Sequence, residues 1–548
     1  MLTKRTIITV VLFLSLAGFS YSASVEKESR NFEITKNLDI FNTLLRELDL
    51  FYVDSIKPRE LIPLAIDKML MGLDPYTVYI PESEIQDFKY MATGEYGGIG
   101  AIITERDGRI MITDLHENMP AHKVGLKIGD YIISIDGEKI KNSSTTDVSA
   151  MLKGEPGDIV TIVVERAGEK KQLKKEIIRE KIQVSSIDYY GVHNNIAYIY
   201  LSSFTDKSAA EVKKALVEMK SKHDLKGLVL DLRGNPGGII EEAVGISNLF
   251  LPKGKEVLST KGKNTQWDKT YKTTREPFDA EIPIVVLVND ESASAAEIVA
   301  GALQDYDRAV IIGNRTYGKG LVRTTRPVGY SSYLKVTTAK YYTPSGRCIQ
   351  AIDYEHKSGR IADSLTHEFK TAHGRTVKDG GGITPDITLK DIETLDISYR
   401  LLADFIIFDY ATKYYQKRPK IESIEDFEFT DEDFEDFKEY LKSKDFTYQL
   451  RSSIALNKLR EIAKIEGYTD IAKEEFDALE RKLIPDTDKD LEALKPTIKR
   501  LLGAEIAKRY YYRQGVIQQI LKSDEGFIKA VEVLNDSGLY NKILKINP

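Results

Sequence analysis

The stretch "GNRTYGKGLV" at residues 313–322 contains a lysine between two glycines, and such a lysine could bind phosphate or transfer a proton. Gly313, Gly318 and Lys319 have the spacing of the phosphate-binding motif G-x-x-x-x-G-K-[ST]. That motif ends in a hydroxyl residue that holds a magnesium ion, whereas this chain has Gly320 at that position. The stretch therefore argues against a nucleotide site, and proton transfer becomes the more plausible chemistry for Lys319.

A serine that could act as a nucleophile precedes this loop. Ser294 follows the apolar run "PIVVLVN" and begins a helical pattern that continues through Ala295. The helix dipole favours a serine alkoxide, and a lysine among apolar residues can lose its proton near neutral pH. Ser294 and Lys319 could therefore form a serine–lysine variant of the catalytic triad. No histidine lies between His223 and His356, but triad partners can be distant in sequence, so a histidine base stays open.

Three apolar runs, "GLVLDL", "PIVVLVN" and "AVIIGN", alternate with helical segments, which predicts an α/β core. Ligands in open α/β sheets bind beyond the carboxyl ends of the strands. After "GLVLDL", the turn with Gly237 and Gly238 leaves backbone amides that could face an anion. One of these amides and the amide of Ala295 could stabilise an oxyanion. With a right-handed crossover, Ser294 and Lys319 would lie at the same edge of the sheet.

Each of these features also has a purely structural interpretation. Ser292 or Ser294 could cap the helix, and Lys319 could be a solvated loop cation. The turn with Gly237 and Gly238 could be a simple connection.

Glu297 would then be an acid in the first helical turn, where the helix dipole favours it. Asp305 lies near the end of the same helix, where an acid is unfavourable, and it should have a partner such as Arg308.

Composition and charge describe the setting of this chemistry. The chain has 548 residues, of which 42% are hydrophobic and 30% charged, with a net charge of −6, as in a soluble globular protein of several domains. This balance gives no general reason to expect a nucleic-acid partner. The run at residues 508–513 mixes cations and aromatics, but on a helix it is more typical of a packed face with solvated ends.

The first residues have the pattern of a secretory signal peptide. Lys4 and Arg5 precede an apolar run, which small residues follow near residue 23. We therefore expect export to the periplasm or cell envelope, with membrane contact only if this segment stays uncleaved. Cys348 is the only cysteine and cannot form an internal disulfide.

Periodicity divides the chain into five parts. Apolar residues recur at helical spacing before and after the central region, and the part between is β-rich and then α/β. The boundaries that we predict are a signal peptide at 1–23, a helical region at 24–85, a β-module at 86–172, an α/β core at 173–392 and a C-terminal helical domain at 393–548.

The β-module begins with a glycine-rich turn that could bind a peptide. Successive amides in the turn that contains Gly98, Ile99 and Gly100 could hold a terminal carboxylate. The strand that begins at Ala101 could pair with an extended peptide. The alternative is a β-module with a structural role alone.

Seven motifs in order resemble those of the carboxyl-terminal processing proteases, also called tail-specific proteases. The resemblance covers roughly residues 35 to 392. The motifs are "GLDPYT" at 72–77, "YGGIGAII" at 96–103, "LDLRGNPGG" at 230–238, "SASAAEIVAGALQD" at 292–305, "TYGKGLV" at 316–322, "YYTPSGR" at 341–347 and "GGGITPDI" at 380–387.

The resemblance implies a multidomain α/β protein with a ClpP/crotonase-like peptidase core, an inserted PDZ domain at residues 86–172 and helical N- and C-terminal regions. It implies that Ser294 is the nucleophile and Lys319 the general base. It also marks other positions as oxyanion donors, namely Gly237 or Gly238 with Ala295, and as supporting residues, namely Glu297, Asp305 and Thr316. Such an enzyme selects proteins by their free C-terminal tails and cuts them nearby.

We expect no metal ion and no other cofactor. The run His367-Glu368 followed by His373 lacks the H-E-x-x-H spacing of a zinc helix. The helical regions could support a homo-oligomer.

Two features depart from the family pattern. Residues 351–379 lengthen a passage that is shorter in many relatives, and they could form a flap over the site. Arg323 replaces a glutamine that many relatives hydrogen-bond to the lysine amine. By strand alternation Arg323 should face the same side as Lys319 and lower the pKa of Lys319, or else turn away into a salt bridge with Glu297, Asp305 or an acid of the C-terminal domain. The rival function is an inactive PDZ scaffold that binds peptides.

Overall fold

A computed structural model describes residues 30–85, 94–354, 356, 359–390, 396–421 and 423–546. The chain forms two compact units that divide after Tyr79. The predicted signal peptide lies outside the described residues. Among the helices of the described ranges, none has the length and apolar character needed to span a bilayer.

The first unit is helical. Its helices are α1 (residues 30–51) and α2 (Pro58–Met71). Pro58 begins α2 at the first position, where a missing N–H costs nothing. In the following "GLDPYT" turn, Asp74 Oδ1 accepts hydrogen bonds from the amides of Tyr76 and Thr77, each at 2.8 Å. The strand β1 (Val78–Ile80) follows at the boundary between the units.

The second unit begins with the β-module. Its elements are the 3₁₀ turn Glu82–Glu84, β2 (Glu95–Gly98), β3 (Ala101–Arg106), β4 (Arg109–Leu115), α3 (Pro120–Lys123), β5 (Tyr131–Ile135), β6 (Glu138–Lys139), α4 (Thr145–Leu152), β7 (Ile159–Glu165), β8 (Leu173–Ile178) and β9 (Glu180–Gln183). The main sheet has the order β3-β4-β5-β7-β8, with β6 paired to β5. The strands β2 and β9 pair with each other at the base of the module.

The α/β core follows. Its helices are α5 (Ser208–Lys222), α6 (Ile240–Ser247) and α7 (Ala295–Asp305), with 3₁₀ turns at Thr265–Trp267 and Asp363–Leu365. Its strands are β10 (Ile187–His193), β11 (Ile196–Leu201), β12 (Gly227–Asp231), β13 (Glu256–Gly262), β14 (Lys269–Lys272), β15 (Ile284–Val288), β16 (Val310–Gly313), β17 (Leu321–Gly329), β18 (Ser332–Tyr342), β19 (Ile352–Asp353), β20 (Gly359–Arg360), β21 (Glu368–Lys370), β22 (Thr376–Lys378) and β23 (Ile387–Thr388).

The central sheet of the core has the order β10-β11-β12-β15-β16-β23. All of its neighbouring strands are parallel except β10 and β11. The predicted α/β fold class is confirmed, and the parallel pairing of β15 with β16 brings the loops after these two strands to one edge. In a second sheet β18 pairs with β13 and β17, and β13 also pairs with β14.

The C-terminal part of the chain is helical, as predicted. Its helices are α8 (Asp396–Ala403), α9 (Ile406–Lys417), α10 (Asp431–Lys442), α11 (Arg451–Glu466), α12 (Lys473–Lys482), α13 (Thr487–Ala493), α14 (Lys495–Leu521), α15 (Glu525–Asn535) and α16 (Ser537–Leu544). The helix α14 is kinked at Tyr511 and Tyr512, whose backbone angles are not helical. Tyr512 packs edge-on against His122 of the β-module.

The two faces of the central sheet are covered by different parts of the chain. On one face, Leu228 and Leu230 pack with α5, α6 and α7. On the other face, Val229 packs with Ile517, Phe527 and other residues of α14 to α16. Because successive strand residues point to opposite faces, a strand buried on both sides is apolar throughout, as "GLVLDL" nearly is. The last three helices therefore form a layer of the core.

Candidate active site

Ser294 lies in a tight turn between β15 and α7. Its φ of 55° and ψ of −113° fall in a region that residues other than glycine rarely adopt. Ser292 holds this turn, because its hydroxyl donates to Leu232 O at 2.8 Å and accepts from Asn289 N at 2.9 Å. Strain of this kind persists only where the surroundings fix the backbone, and it is frequent at functional sites. Ser294 itself is half-buried.

Glu297 connects the Ser294 turn to the loop of Lys319. Its side chain is completely buried, and each carboxylate oxygen accepts two hydrogen bonds. Oε2 accepts from the backbone amides of Ser294 at 2.9 Å and Lys319 at 2.8 Å. Oε1 accepts from the Thr316 hydroxyl at 2.6 Å and the Gly318 amide at 2.8 Å. Burial raises the pKa of the Glu297 carboxyl group, while the four hydrogen bonds act in the opposite direction.

Further bonds fix the loop that carries Lys319. The buried Thr316 hydroxyl accepts from Ile383 N at 2.6 Å while it donates to Glu297. Tyr317 N donates to Ser292 O at 3.0 Å, so the loop is also joined directly to the serine turn. Gly320 N donates to the buried Gln350 side chain at 2.8 Å. Sequence reasoning missed Gln350, which lies outside the motifs.

Lys319 is half-buried. Burial first, and then the nearby charges of Arg323 and Lys335, together lower the pKa of Lys319 to about 8, whereas Glu297 opposes the shift. The pKa of Lys335 is also lowered to about 8, by burial and then by Arg323. A substantial fraction of Lys319 is therefore neutral in mildly alkaline water, as a general base requires.

The register of β17 and β18 explains why two of these cations, Arg323 and Lys335, lie close together. Arg323 pairs with Thr337, and Thr325 pairs with Lys335. Residues two apart on a strand share a face, so Arg323 and Lys335 are diagonal neighbours on one face of the hairpin. Sequence reasoning identified Arg323 but missed Lys335, because the register that brings them together could not be read from the sequence.

The turn that contains the two predicted oxyanion glycines lies against Ser294. A Cβ added at Gly237 would come within 2.7 Å of Ser294 Cβ and 2.9 Å of Ala295 N. The Gly237 amide donates to Asn235 Oδ1 at 2.8 Å. The amides of Gly238 and Ala295, by contrast, donate to no residue in the described part of the chain. Gly238 and Ala295 are therefore the pair of donors that an oxyanion could use.

Asp305 lies at the far end of α7, away from the serine turn. It is buried, and its carboxylate accepts from Arg347 Nη2 and Ser345 N at 2.7 and 2.9 Å. Arg308, the partner suggested by sequence, instead donates to the backbone oxygens of Phe250 and Asp279. Arg347 is in the motif "YYTPSGR", but its pairing with Asp305 could not be inferred from spacing. This pair anchors the helix whose first residues carry the site.

The predicted peptide site of the β-module lies at the start of β3. The amides of Ile99 and Gly100 donate to no other described residue, and their carbonyls accept from Ala121 N at 2.8 Å and His116 N at 3.1 Å. Among the described strands β3 pairs only with β4, so its outer edge, beside α4, is open to an added strand. Gly98 is at the end of β2 and pairs with Glu180 of β9.

Comparison with known proteins assigns three parts of the chain. Residues 195–358 match Peptidase family S41, and residues 111–166 match a PDZ domain. Residues 397–534 match the "Probable PDZ-protease, C-terminal helical domain". The fold and these matches define a serine-type peptidase that carries a PDZ domain and a C-terminal helical domain.

Similar curated proteins refine this class. The chain is 37% identical over 352 residues to a carboxy-terminal-processing protease of Bartonella bacilliformis, covering 63% of this chain and 80% of that relative. It is 37% identical over 316 residues to a "Probable CtpA-like serine protease" of Staphylococcus aureus, covering 57% of this chain and 62% of that relative, which is less than two thirds of its length. The chain belongs to the carboxy-terminal-processing protease family.

Solved structures with similarity to this chain include two of related proteins. The photosystem II D1 C-terminal processing protease is 28% identical, with a TM-score of 0.36, over 64% of this chain and 87% of that chain. A PDZ domain of a carboxy-terminal protease from Vibrio cholerae, in complex with a peptide, is 30% identical, with a TM-score of 0.16, over 16% of this chain and 99% of that chain.

Proposed function

We propose that this enzyme is an endopeptidase that cleaves proteins near their C-termini with a catalytic dyad of Ser294 and Lys319. The observation that carries this proposal is the pair of hydrogen bonds from the Ser294 and Lys319 amides to Glu297 Oε2. Two segments that are about 25 residues apart in the chain are thereby held to one buried oxygen. A helix cap alone would account for the bond to Ser294 but not for the bond to Lys319.

In the proposed mechanism, neutral Lys319 removes the proton from Ser294 Oγ as this oxygen attacks the scissile carbonyl carbon. The carbonyl oxygen becomes an oxyanion, and the amides of Gly238 and Ala295 stabilise it. The ammonium of Lys319 then gives its proton to the leaving amine, and an acyl-enzyme remains on Ser294. Lys319 then takes a proton from a water molecule as this water attacks the ester carbonyl carbon, and it returns the proton to Ser294 Oγ as the bond between the acyl carbon and this oxygen breaks.

The PDZ domain would select the substrate. The amides at Ile99 and Gly100 can hold a terminal carboxylate, and the free edge of β3 can pair with the adjoining tail. A free C-terminus would therefore be the recognised feature, and an extended chain would follow from it to the dyad. Exported proteins are the proposed substrates, because the pattern at residues 1–23 favours a periplasmic or envelope location.

Cleavage of an unstructured exported protein with a free C-terminus tests this function. Wild type should cleave it, and Ser294→Ala should not. Lys319→Met should lose activity as well, whereas Lys340→Met, a change of an exposed lysine on β18, should keep it. A wild-type enzyme whose activity survives Ser294→Ala would refute the dyad, and a wild type without activity would favour a PDZ scaffold.

A further inference from the structure

The turn with the oxyanion donors is attached to the C-terminal helices by an ion pair. Arg233 precedes this turn, and its guanidinium contacts two carboxylates. Nε donates to Asp231 Oδ1 at 3.0 Å, and Nη1 donates to Asp524 Oδ2 at 2.9 Å. Asp231 is fully buried at the end of β12 and also accepts from the Tyr198 hydroxyl at 2.8 Å. The outer end of the guanidinium is thus held by a residue of the C-terminal helical domain.

Asp524 has a second bond that sets its position. Its Oδ1 accepts from Phe527 N at 2.6 Å, so Asp524 is the N-cap of α15. Gly526 lies in the first turn of this helix, and an added Cβ would come within 3.1 Å of Arg233 Nη1. The absence of a side chain at Gly526 lets the start of α15 approach the guanidinium closely. Helix cap, glycine and ion pair together form one contact between α15 and the turn.

The same contact lies beside a cavity near the active site. The cavity has a volume of about 340 Å³ and opens between the carboxyl ends of the strands and the second half of α14. Arg233, Gly234 and Asp524 line it, together with Asn289 and Glu291 from the turn before Ser294. Among the hydrogen bonds and ion pairs of the described residues, the pair of Arg233 with Asp524 is the one that joins the oxyanion turn to the start of α15.

We propose that Asp524 is a positioning residue, which acts through Arg233 to hold the oxyanion turn in place for catalysis. The proposal rests on the proposed function, because it concerns the amide of Gly238 as an oxyanion donor. It gives the C-terminal helical domain a part in the chemistry. The domain acts through the fixed geometry of one turn and touches no reacting atom.

The expected kinetic effect separates this role from a structural one. An oxyanion donor interacts most strongly with the tetrahedral intermediate, so a displaced turn lowers kcat and leaves substrate binding unchanged. A displaced turn should also weaken binding of a peptide boronic acid, which forms a tetrahedral adduct with the serine. Loss of folding stability alone would not change the ratio of the affinity for the boronic acid to the affinity for the substrate.

The next helix supplies a matched control. Asp536 caps α16 through a bond from Leu539 N at 2.9 Å, and Gly538 has the same place in α16 as Gly526 has in α15. An added Cβ would come within 3.3 Å of Asp536 Oδ1 at Gly538 and within 3.2 Å of Asp524 Oδ1 at Gly526. The described residues give Asp536 no ion pair. The two Asp-x-Gly caps thus differ in the contact with Arg233.

The experiment compares Asp524→Asn with Asp536→Asn in the full-length enzyme, because asparagine is also a good N-cap. We measure kcat, KM and the inhibition constant of a peptide boronic acid for both, with wild type and Ser294→Ala in the same assay. Asp524→Asn should lower kcat roughly tenfold and weaken the boronic acid by a similar factor, with KM unchanged. Asp536→Asn should match wild type in all three constants.

Equal constants for Asp524→Asn and Asp536→Asn would overturn the proposal. If Asp524→Asn does not fold, Gly526→Ala and Gly538→Ala take the place of the two asparagine variants, because alanine is the better helix former. Only Gly526→Ala crowds Arg233, so equal kcat values for this pair would also overturn it. Failure of the proposed function is recognised separately, as the absence of Ser294-dependent cleavage by wild type.

Discussion

The backbone amides of Ser294 and Lys319 donate to the same atom, Oε2 of Glu297, at 2.9 and 2.8 Å. One buried carboxylate oxygen therefore fixes the proposed nucleophile relative to the proposed base. Both bonds involve main-chain nitrogen atoms, so neither of them uses the hydroxyl of Ser294 or the amine of Lys319.

Glu297→Gln should damage both stability and activity. In glutamine an NH2 group replaces one carboxylate oxygen. This group would face two hydrogen-bond donors and could accept a hydrogen bond from neither. An unsatisfied buried donor costs about 1–3 kcal/mol, so we expect the free energy of unfolding to fall by at least that amount. Denaturant titration and kcat/KM on the same samples measure the two effects. Wild-type stability and activity would contradict the central role of Glu297.

Thr316 provides a milder test of the same network. Its hydroxyl donates to Glu297 and accepts from Ile383 N, so Thr316→Val removes both bonds with little change of volume. We expect a loss of roughly 1–3 kcal/mol in the free energy of unfolding. Thr316→Ser keeps the hydroxyl and is the control. Equal stability of the valine and serine variants would show that these bonds contribute little.

The pH dependence of kcat/KM should report the pKa of Lys319. A general base acts in its neutral form, so activity should rise with pH through the pKa of about 8 and level off above it. Lys319→Arg should be inactive across the whole range, because arginine stays protonated. An enzyme whose activity is already maximal at pH 6 would need another base.

Arg323 and Lys335 should set the pH at which kcat/KM rises, that is, the acidic limb of the pH profile. Each cation disfavours the ammonium form of Lys319, so Arg323→Gln and Lys335→Gln should raise its pKa and move the limb to higher pH. The shift should be larger for Arg323, since Lys335 is itself partly neutral near pH 8. Arg326→Gln, farther along β17, is the control. A limb that stays in place in all three variants would leave desolvation as the whole cause.

The PDZ-domain turn that contains Gly100 should affect substrate binding and not the chemical step. Gly100 has a φ of 75°, and an added Cβ would come within 2.5 Å of Met119 Cβ, so Gly100→Ala should distort the turn. We expect KM to rise with kcat little changed, and amidation of the substrate C-terminus should have the same effect. Equal kcat/KM for the acid and the amide in wild type would show that tail recognition lies elsewhere.

The α/β core, and the edge of its sheet that carries the candidate site, could be predicted from sequence for a physical reason. Strands buried on both faces are apolar throughout, and parallel strands bring their following loops to one edge. The sequence alone therefore predicts that the turns with Gly237, Ser294 and Lys319 lie at one edge of the sheet. Helical periodicity was equally sufficient for the C-terminal region.

Contacts between side chains distant in sequence could not be predicted in this way. Glu297 was expected as a first-turn acid, and its bond to the Lys319 amide depends on how a later loop folds back. The pairing of Asp305 with Arg347 depends on the path of the chain after β18. The contact of Asp524 with Arg233 requires α15 to pack on the sheet, and periodicity shows that a helix is amphipathic but not what it covers.

The most direct test of the central claim is the cleavage rate of one unstructured, C-terminally free protein by four forms of the enzyme. We expect turnover by wild type and by Lys340→Met, and a loss of at least a hundredfold in Ser294→Ala and in Lys319→Met, each with wild-type thermal stability. Turnover near the wild-type rate in either Ser294→Ala or Lys319→Met would contradict this claim.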